Sequence, residues 1–530
     1  MPLTLEQAGG QQFLLSFIGK QKPSPEILEI IRRQHLGGVV LFRHKNMGSL
    51  AELRGLTAAL QKAAAQAGQP PLLIAADQEG GQLMAIGEGT PFPGNMALGA
   101  TRSEKLAYRV GEALAREVAA VGVNVDFAPV CDVNNNPDNP VVGTRSFGED
   151  PAMVGRLSAA LIKGLQSSGV AATAKHFPGH GDVSTDSHHG APVIPHSAKR
   201  IDQIELPPFR TAIKAGVRLM MTAHIVMPAL NGGTDQPATV SPAILRGLLR
   251  HKLGFGGVIV GDAMDMHAME QGPGYVAEAM AAVAAGLDLV LLNHDLSKVE
   301  GAFANIVHAA RRGLLSRDEI NASARRVLAL KAWLQHRKQP PLRVVGCREH
   351  LALAKEVAEK SVTLVRDIAG RLPLRLPPDA KIAVVVPRPE DLTPADTSSY
   401  VTPALAAAVR RYHPRVEEIL IGINPSASEV RSLREKLREY DLVVLGTINA
   451  TAHRGQAALV NALHKQGTPM IAVALRMPYD LAVYPAVSTY LCTYSILPPA
   501  MEALADALWG RIPFAGQLPV SIKAVHRKGR

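Results

Sequence analysis

The chain has 530 residues, 47% of them apolar, with a formal net charge of +11 from 57 Lys and Arg against 46 Asp and Glu. That length exceeds what one hydrophobic core serves, so two or more domains are expected, and no apolar run is long enough to suggest a bilayer span. Aromatic residues, at 4%, are too few to stack bases and the basic residues are scattered apart from the tail His526–Arg530, so no nucleic-acid partner is expected.

The N-terminal stretch MPLTLEQAGGQQFLL lacks the basic and apolar regions of a secretion signal. Cys131, Cys347 and Cys492 are far apart and odd in number, giving neither a zinc spacing nor a disulfide framework. Both features lead to the expectation of a cytoplasmic protein.

In chain order, short apolar strands are predicted at Phe13–Ile18, Gly38–Phe42, Leu72–Asp77, Val123–Pro129, Ala171–His176, Arg218–His224, Gly257–Asp262 and Leu287–Leu292. Between them lie amphipathic helical stretches such as Pro25–Gln34, Ser103–Ala120, Pro151–Ser167 and Pro242–Leu253, several opening on a Ser or Pro start signal. Near-continuous apolar strands alternating with helices predict a parallel sheet covered on both faces. Eight such units predict a (β/α)8 barrel of the TIM type.

A helix over Ser316–His336 opens with Ser316 and Glu319 in a capping-box pattern. The segment KQPPLRVVGCREH then reads as a linker, which divides the chain into a barrel domain, 1–340, and a second domain, 341–530. In the second part Glu349–Leu364, Ser426–Tyr440 and Arg454–Lys465 read as helices, and Lys381–Val386, Leu442–Thr447 and Met470–Leu475 as buried strands. That pattern predicts a smaller three-layer αβα sandwich.

Barrel active sites sit at the C-terminal ends of the strands. There the sequence places Asp77, the pair Lys175–His176, His224 and Asp262, polar groups where a core strand would otherwise continue apolar. The densest stretch is K-H-F-P-G-H-G-D-V-S-T-D-S-H-H-G, Lys175 to Gly190, with four His, two Asp and three Gly. Glycines allow such a loop to turn tightly over a ligand while presenting polar side chains. Asp186 and His188, two apart, can form a dyad in which the carboxylate fixes the imidazole tautomer and raises its basicity. A purely structural Gly/His loop is the plain alternative. A metal site is a third reading, from His176 and His180, but Pro178 and Gly179 break the helix on which that spacing usually serves, so no metal or other cofactor is expected. A second stretch, Gly254–Met266, ends its strand on Asp262, where a carboxylate is costly unless used or paired. Asp262 is the candidate nucleophile or base; Asp265 is its rival, with helix capping as the simpler role.

The Lys175–Gly190 loop resembles the signature of bacterial β-N-acetylhexosaminidases of glycoside hydrolase family 3. So do D-Q-E-G-G (Asp77–Gly81), T-P-F-P-G-N-M-A-L-G (Thr90–Gly99), N-V-D-F-A-P-V (Asn124–Val130) and G-T-R-S-F-G-E-D-P (Gly143–Pro151). The resemblance spans the barrel and continues weakly through Ser361–Asp367 and Phe514–Ile522. It implies a retaining exo-hydrolase that removes terminal β-linked N-acetylglucosamine. Asp262 would form the covalent glycosyl-enzyme, His188 would be the acid/base with Asp186 as its partner, and Asp77, Arg145, Lys175 and His176 would grip the sugar hydroxyls. The implied substrate is a small carbohydrate, with cell-wall muropeptides as one source.

One position departs from the pattern. Relatives follow D-Q-E-G-G with a short run ending in an arginine that holds the sugar; here Gln82–Ala85 puts Ala85 at that place. Losing a charge-assisted hydrogen bond weakens or redirects binding, unless another cation substitutes. A phosphorylase on the same scaffold, a broader β-glycosidase and a non-catalytic sugar-binding scaffold are the competing functions. Sugar 1-phosphate formed on adding phosphate, and turnover of a chromogenic N-acetylglucosaminide, separate them.

Overall fold

All eight predicted barrel strands are present in the computed structural model, which describes residues 3–186, 190–269, 272, 274–293, 295–335 and 338–523. They are β1 (Phe13–Ser16), β2 (Gly38–Leu41), β3 (Leu73–Ala76), β4 (Val125–Asp126), β5 (Ala171–Phe177), β6 (Leu219–Thr222), β7 (Val258–Val260) and β8 (Val290–Leu292). They lie in the order β8–β1–β2–β3–β4–β5–β6–β7, every pair parallel, and a parallel bridge between Val260 and Leu289 joins the two edges.

Residues two apart on a strand share a face, which divides the core in two. Leu73 and Ala75, Leu219 and Met221, and Val258 and Val260 belong to the small cluster inside the barrel. Their neighbours Ile74, Ala76, Met220 and Ile259 join the larger cluster beneath the surrounding helices. The helix Arg317–Leu334 adds Val327 and Leu330 to the inner cluster, and its Lys331 Nζ donates to Gln11 Oε1 at 2.6 Å just before β1. That helix therefore covers the N-terminal end of the barrel and leaves the C-terminal strand ends for the cavity described below. Its start is as expected in one half: Ser316 Oγ accepts from the Glu319 N–H at 3.3 Å.

The second sheet comprises β9 (Thr363–Asp367), β10 (Ile382–Pro387), β11 (Val416–Ile421), β12 (Leu442–Thr447), β13 (Met470–Ala474) and β14 (Thr489–Cys492), in the order β9–β14–β13–β12–β10–β11. Only β9 runs antiparallel to its neighbour. Val443 and Leu445 on one face and Leu442 and Val444 on the other enter separate helix-covered cores, which makes the sandwich three-layered.

Two readings of this half need correcting. The predicted helix Glu349–Leu364 ends at Ser361, and Thr363–Asp367 is an edge strand paired with β14, because Val362, Thr363 and Val365 suit an extended edge better than a final helical turn. The helix predicted over Ser426–Tyr440 stops at Lys436 and tightens into a 3-10 turn over Leu437–Glu439. The two halves pack directly: Met96, Ala97 and Ala100 of the barrel lie in the same apolar cluster as Tyr484 and Tyr490.

Candidate active site

At the C-terminal mouth of the barrel lies a cavity of about 670 Å³, within the range that holds small ligands. Its wall includes Asp77, Arg145, Lys175, His176 and Asp262, so five sequence-predicted residues from four segments converge on one space.

The floor is a buried quartet of charges. Asp77 and Glu79 flank the end of β3, and Gly80 and Gly81, at φ +79° and +62°, turn the chain back immediately afterwards. Lys175 Nζ lies 2.6 Å from Asp77 Oδ1 and 2.6 Å from Glu79 Oε1. Arg145 grips Glu79 in bidentate fashion, Nε donating to Oε2 at 3.0 Å and Nη2 to Oε1 at 2.8 Å. Burial works against the Glu79 charge, yet Arg145 and Lys175 hold its carboxyl at about 2. Lys175, itself buried, is held above the usual lysine range against burial by Asp77 and Glu79. Two anions against two cations leave the quartet neutral, with Asp77 its most exposed member at 22%. Sequence reading named Asp77, Arg145 and Lys175 but not Glu79. The signal was the second carboxylate of D-Q-E, next to two glycines.

His176 is oriented by a residue that was also missed. Asp132 is fully buried; its Oδ2 lies 2.7 Å from His176 Nδ1, and its Oδ1 accepts from the N–H groups of His176 at 3.1 Å and His180 at 2.7 Å. Nδ1 thus carries the proton toward Asp132, and Nε2 is the nitrogen left for the cavity. Asp132 falls two residues beyond the N-V-D-F-A-P-V run, where nothing in the spacing distinguishes it.

His180, ring to ring 5.7 Å from His176, is driven down to about 4 by burial and by that neighbour. The unfolded chain takes up this proton near pH 6.5 and the folded one only near 4. The stability from neutral burial is therefore complete above about 6.5 and lost as pH falls through that window. A loss on the order of 3 kcal/mol between pH 7 and 4 is expected, read as a falling thermal midpoint whose slope flattens in His180→Asn. A parent midpoint level across that range would show that His180 is not held neutral. Among the described residues no group of three or more His, Cys, Asp or Glu is gathered as metal ligands would be.

Asp262 follows β7 after Gly261, and its Oδ1 accepts from the Ala263 N–H at 2.8 Å. His224 sits behind this turn: its Nδ1 lies 2.8 Å from Thr239 Oγ1 and its Nε2 donates to the Ala263 carbonyl at 3.0 Å, which braces the backbone just after Asp262. Asp265 also borders the cavity, but its Oδ2 accepts from Asn293 Nδ2 at 2.6 Å, while Asn293 Oδ1 takes Lys45 Nζ and Ser16 Oγ, each at 2.8 Å. Asp186 is buried in the loop after β5. His188 lies outside the described residues.

The second domain supplies part of the wall, through Asp391, Thr393–Thr397 and Tyr400. Gln82 joins this loop to the barrel: its carbonyl accepts from Thr397 N at 2.8 Å and Thr397 Oγ1 at 2.9 Å, its Nε2 donates to Ala395 O at 3.2 Å, and its Oε1 accepts from Thr144 Oγ1 at 2.8 Å and from Arg476. Arg476 in turn pairs with buried Asp396 at 2.7 Å. Ala85 is buried in the same wall, its N–H donating to the Asp77 carbonyl at 3.0 Å.

The family model described as the glycosyl hydrolase family 3 N terminal domain matches residues 4–330. Beta-hexosaminidase A of Pseudoalteromonas piscicida is 32% identical, with 98% of each chain covered. A beta-N-acetylglucosaminidase/beta-glucosidase of Cellulomonas fimi is 31% identical over 94% of this chain and 90% of its own. Among solved structures, a glycoside hydrolase family 3 beta-N-acetylglucosaminidase from Paenibacillus sp. str. FPU-7 matches with a TM-score of 0.92 and 36% identity, covering 99% of this chain and 100% of that one.

Proposed function

The chain belongs to glycosyl hydrolase family 3, and from that premise we propose that it removes terminal β-linked N-acetylglucosamine with retention of configuration. The observation that carries this reading is the convergence of Asp262, Asp77, Arg145 and Lys175, the last two paired with Glu79, on one cavity large enough for more than a single sugar ring. Asp77, Arg145, Lys175 and His176 bind and orient the terminal sugar. Asp262 attacks its anomeric carbon as the glycosidic C–O bond breaks, and His188 gives a proton to the departing oxygen. Water then loses a proton to His188 and displaces the Asp262 carboxylate. Asp186, buried two residues before His188, fixes the imidazole and supports its charge. A histidine in this role avoids placing a second anion beside the nucleophile.

Among the described residues no helix is long and apolar enough to cross a membrane. The setting we propose is the cytoplasm, with cell-wall muropeptides as a source of substrate and residues 1–340 and 341–530 as the two domains.

A leaving-group series of aryl and alkyl N-acetyl-β-glucosaminides tests the reading. The parent should release free sugar, with no sugar 1-phosphate when phosphate is added; sugar 1-phosphate as the main product would replace hydrolysis by phosphorolysis. His188→Ala should slow poor leaving groups by roughly 10²–10⁴-fold and good ones far less, since only the former need the proton. Uniform slowing across the series would remove His188 from the acid/base role.

A further inference from the structure

Arg43 follows β2 and borders the active-site cavity. Its guanidinium lies 4.0 Å over the ring of Tyr400, on the second-domain loop, and its Nη1 donates to the Met84 carbonyl at 3.4 Å. Among the described residues it forms no ion pair with a carboxylate. Asp391, whose charge bears on it after that of Tyr400, accepts instead from the N–H of Ser399 at 2.7 Å and its hydroxyl at 2.8 Å. A partly buried guanidinium with one long hydrogen bond, at the border of the cavity, keeps N–H donors for a ligand.

The neighbouring backbone is shaped around this side chain. A Cβ on Gly87 would come within 2.6 Å of Arg43 Nη2 and 3.0 Å of Cζ, and the backbone at Gly87 does not require positive φ. Glycine there serves the close approach of the guanidinium. The stretch Met84–Gly87 that Arg43 follows includes Ala85, whose N–H is bonded to the Asp77 carbonyl. Arg43, Ala85 and Asp77 all border the same cavity.

We propose that Arg43 is a specificity-determining residue that supplies, from just beyond strand β2, the sugar-binding cation missing at Ala85, and that Tyr400 holds it in place from the second domain. Its partners are hydroxyl or carbonyl oxygens of the terminal N-acetylhexosamine, bound through charge-assisted hydrogen bonds. The inference rests on the hydrolase reading above.

Kinetics on 4-nitrophenyl N-acetyl-β-glucosaminide test it in the full chain. Arg43→Met keeps the apolar stem and removes the donors, and should lower kcat/KM by roughly tenfold to a hundredfold. Gly87→Ala, which displaces only the flexible end of Arg43, should lower it several-fold with the thermal midpoint unchanged. Ala85→Arg in the Arg43→Met background should regain part of the loss. Either single variant at the parent kcat/KM, or a double variant with no gain, overturns the proposal. A parent inactive on this glycoside sinks the hydrolase reading and the inference with it, whereas an active parent with an equally active Arg43→Met sinks the inference alone.

Discussion

An Asp262→Ala enzyme is expected to fold as the parent does and to lose roughly 10⁴- to 10⁶-fold in kcat on an aryl N-acetyl-β-glucosaminide. That loss corresponds to about 5–8 kcal/mol of barrier, the scale of removing the group that bonds to the reacting carbon. Stability should change little, because Asp262 is only partly buried. The variant also vacates a carboxylate's volume against the anomeric carbon. Added azide is small and anionic enough to enter that space and attack from the nucleophile's face. Turnover should therefore return with azide and yield a glycosyl azide of inverted configuration. Asp265→Asn is the matched control: its carboxylate is engaged by Asn293 at the rim, so its loss should be smaller by orders of magnitude. If Asp262→Ala hydrolysed as fast as the parent, or if Asp265→Asn were the dead variant, the assignment of the nucleophile would pass to the rival.

The barrel was legible because its signal is long-range and redundant. Strand after strand ends in polar residues at the same relative place, so Asp77, Lys175, His176 and Asp262 could be named from their positions alone, and the structure brings all four to one cavity. Glu79 and Asp132 were not legible, because their work is to neutralise or orient other site residues, and a buried ion pair leaves no periodicity in the sequence. The second domain was less readable for a related reason. Val416–Ile421 carries Glu417 and Glu418 on a partly exposed edge strand, and Thr363–Asp367 is an equally exposed edge that follows a helix without a glycine or proline to mark the change. The contribution of Thr397 and Tyr400 to the cavity wall depends on contacts with Gln82 and Arg43 more than 300 residues apart in sequence, which single-chain patterns do not encode.

The quartet of charges at the cavity sets the second large effect. Glu79→Gln preserves shape but removes one of two anions that face two cations, leaving Arg145 and Lys175, 4% and 1% exposed, against Asp77 alone. Removing one partner of a buried charge network typically costs about 3–5 kcal/mol, because the remaining charge has no water to turn to. A fall of roughly 5–10 °C in the barrel's thermal midpoint is expected. Activity should fall with it, since glutamine keeps only one acceptor oxygen, so Arg145 loses one of its two bonds at this position and the charge behind the other, and Lys175 is drawn toward Asp77. Folded Glu79 ionises near 2 and an unfolded glutamate near 4.5, so its contribution is complete above pH 4.5 and lost as pH falls toward 2. The gap between parent and variant should accordingly stay constant from pH 7 to 4.5 and close below it. Restoring neutrality by removing a cation as well, in Glu79→Gln/Arg145→Met, should cost less than the two single changes added together, because the second change relieves the charge that the first left exposed. Additive losses, or a Glu79→Gln midpoint equal to the parent's, would mean that the four groups are neighbours without being coupled, and that Lys175 and Arg145 are held for the substrate by packing alone.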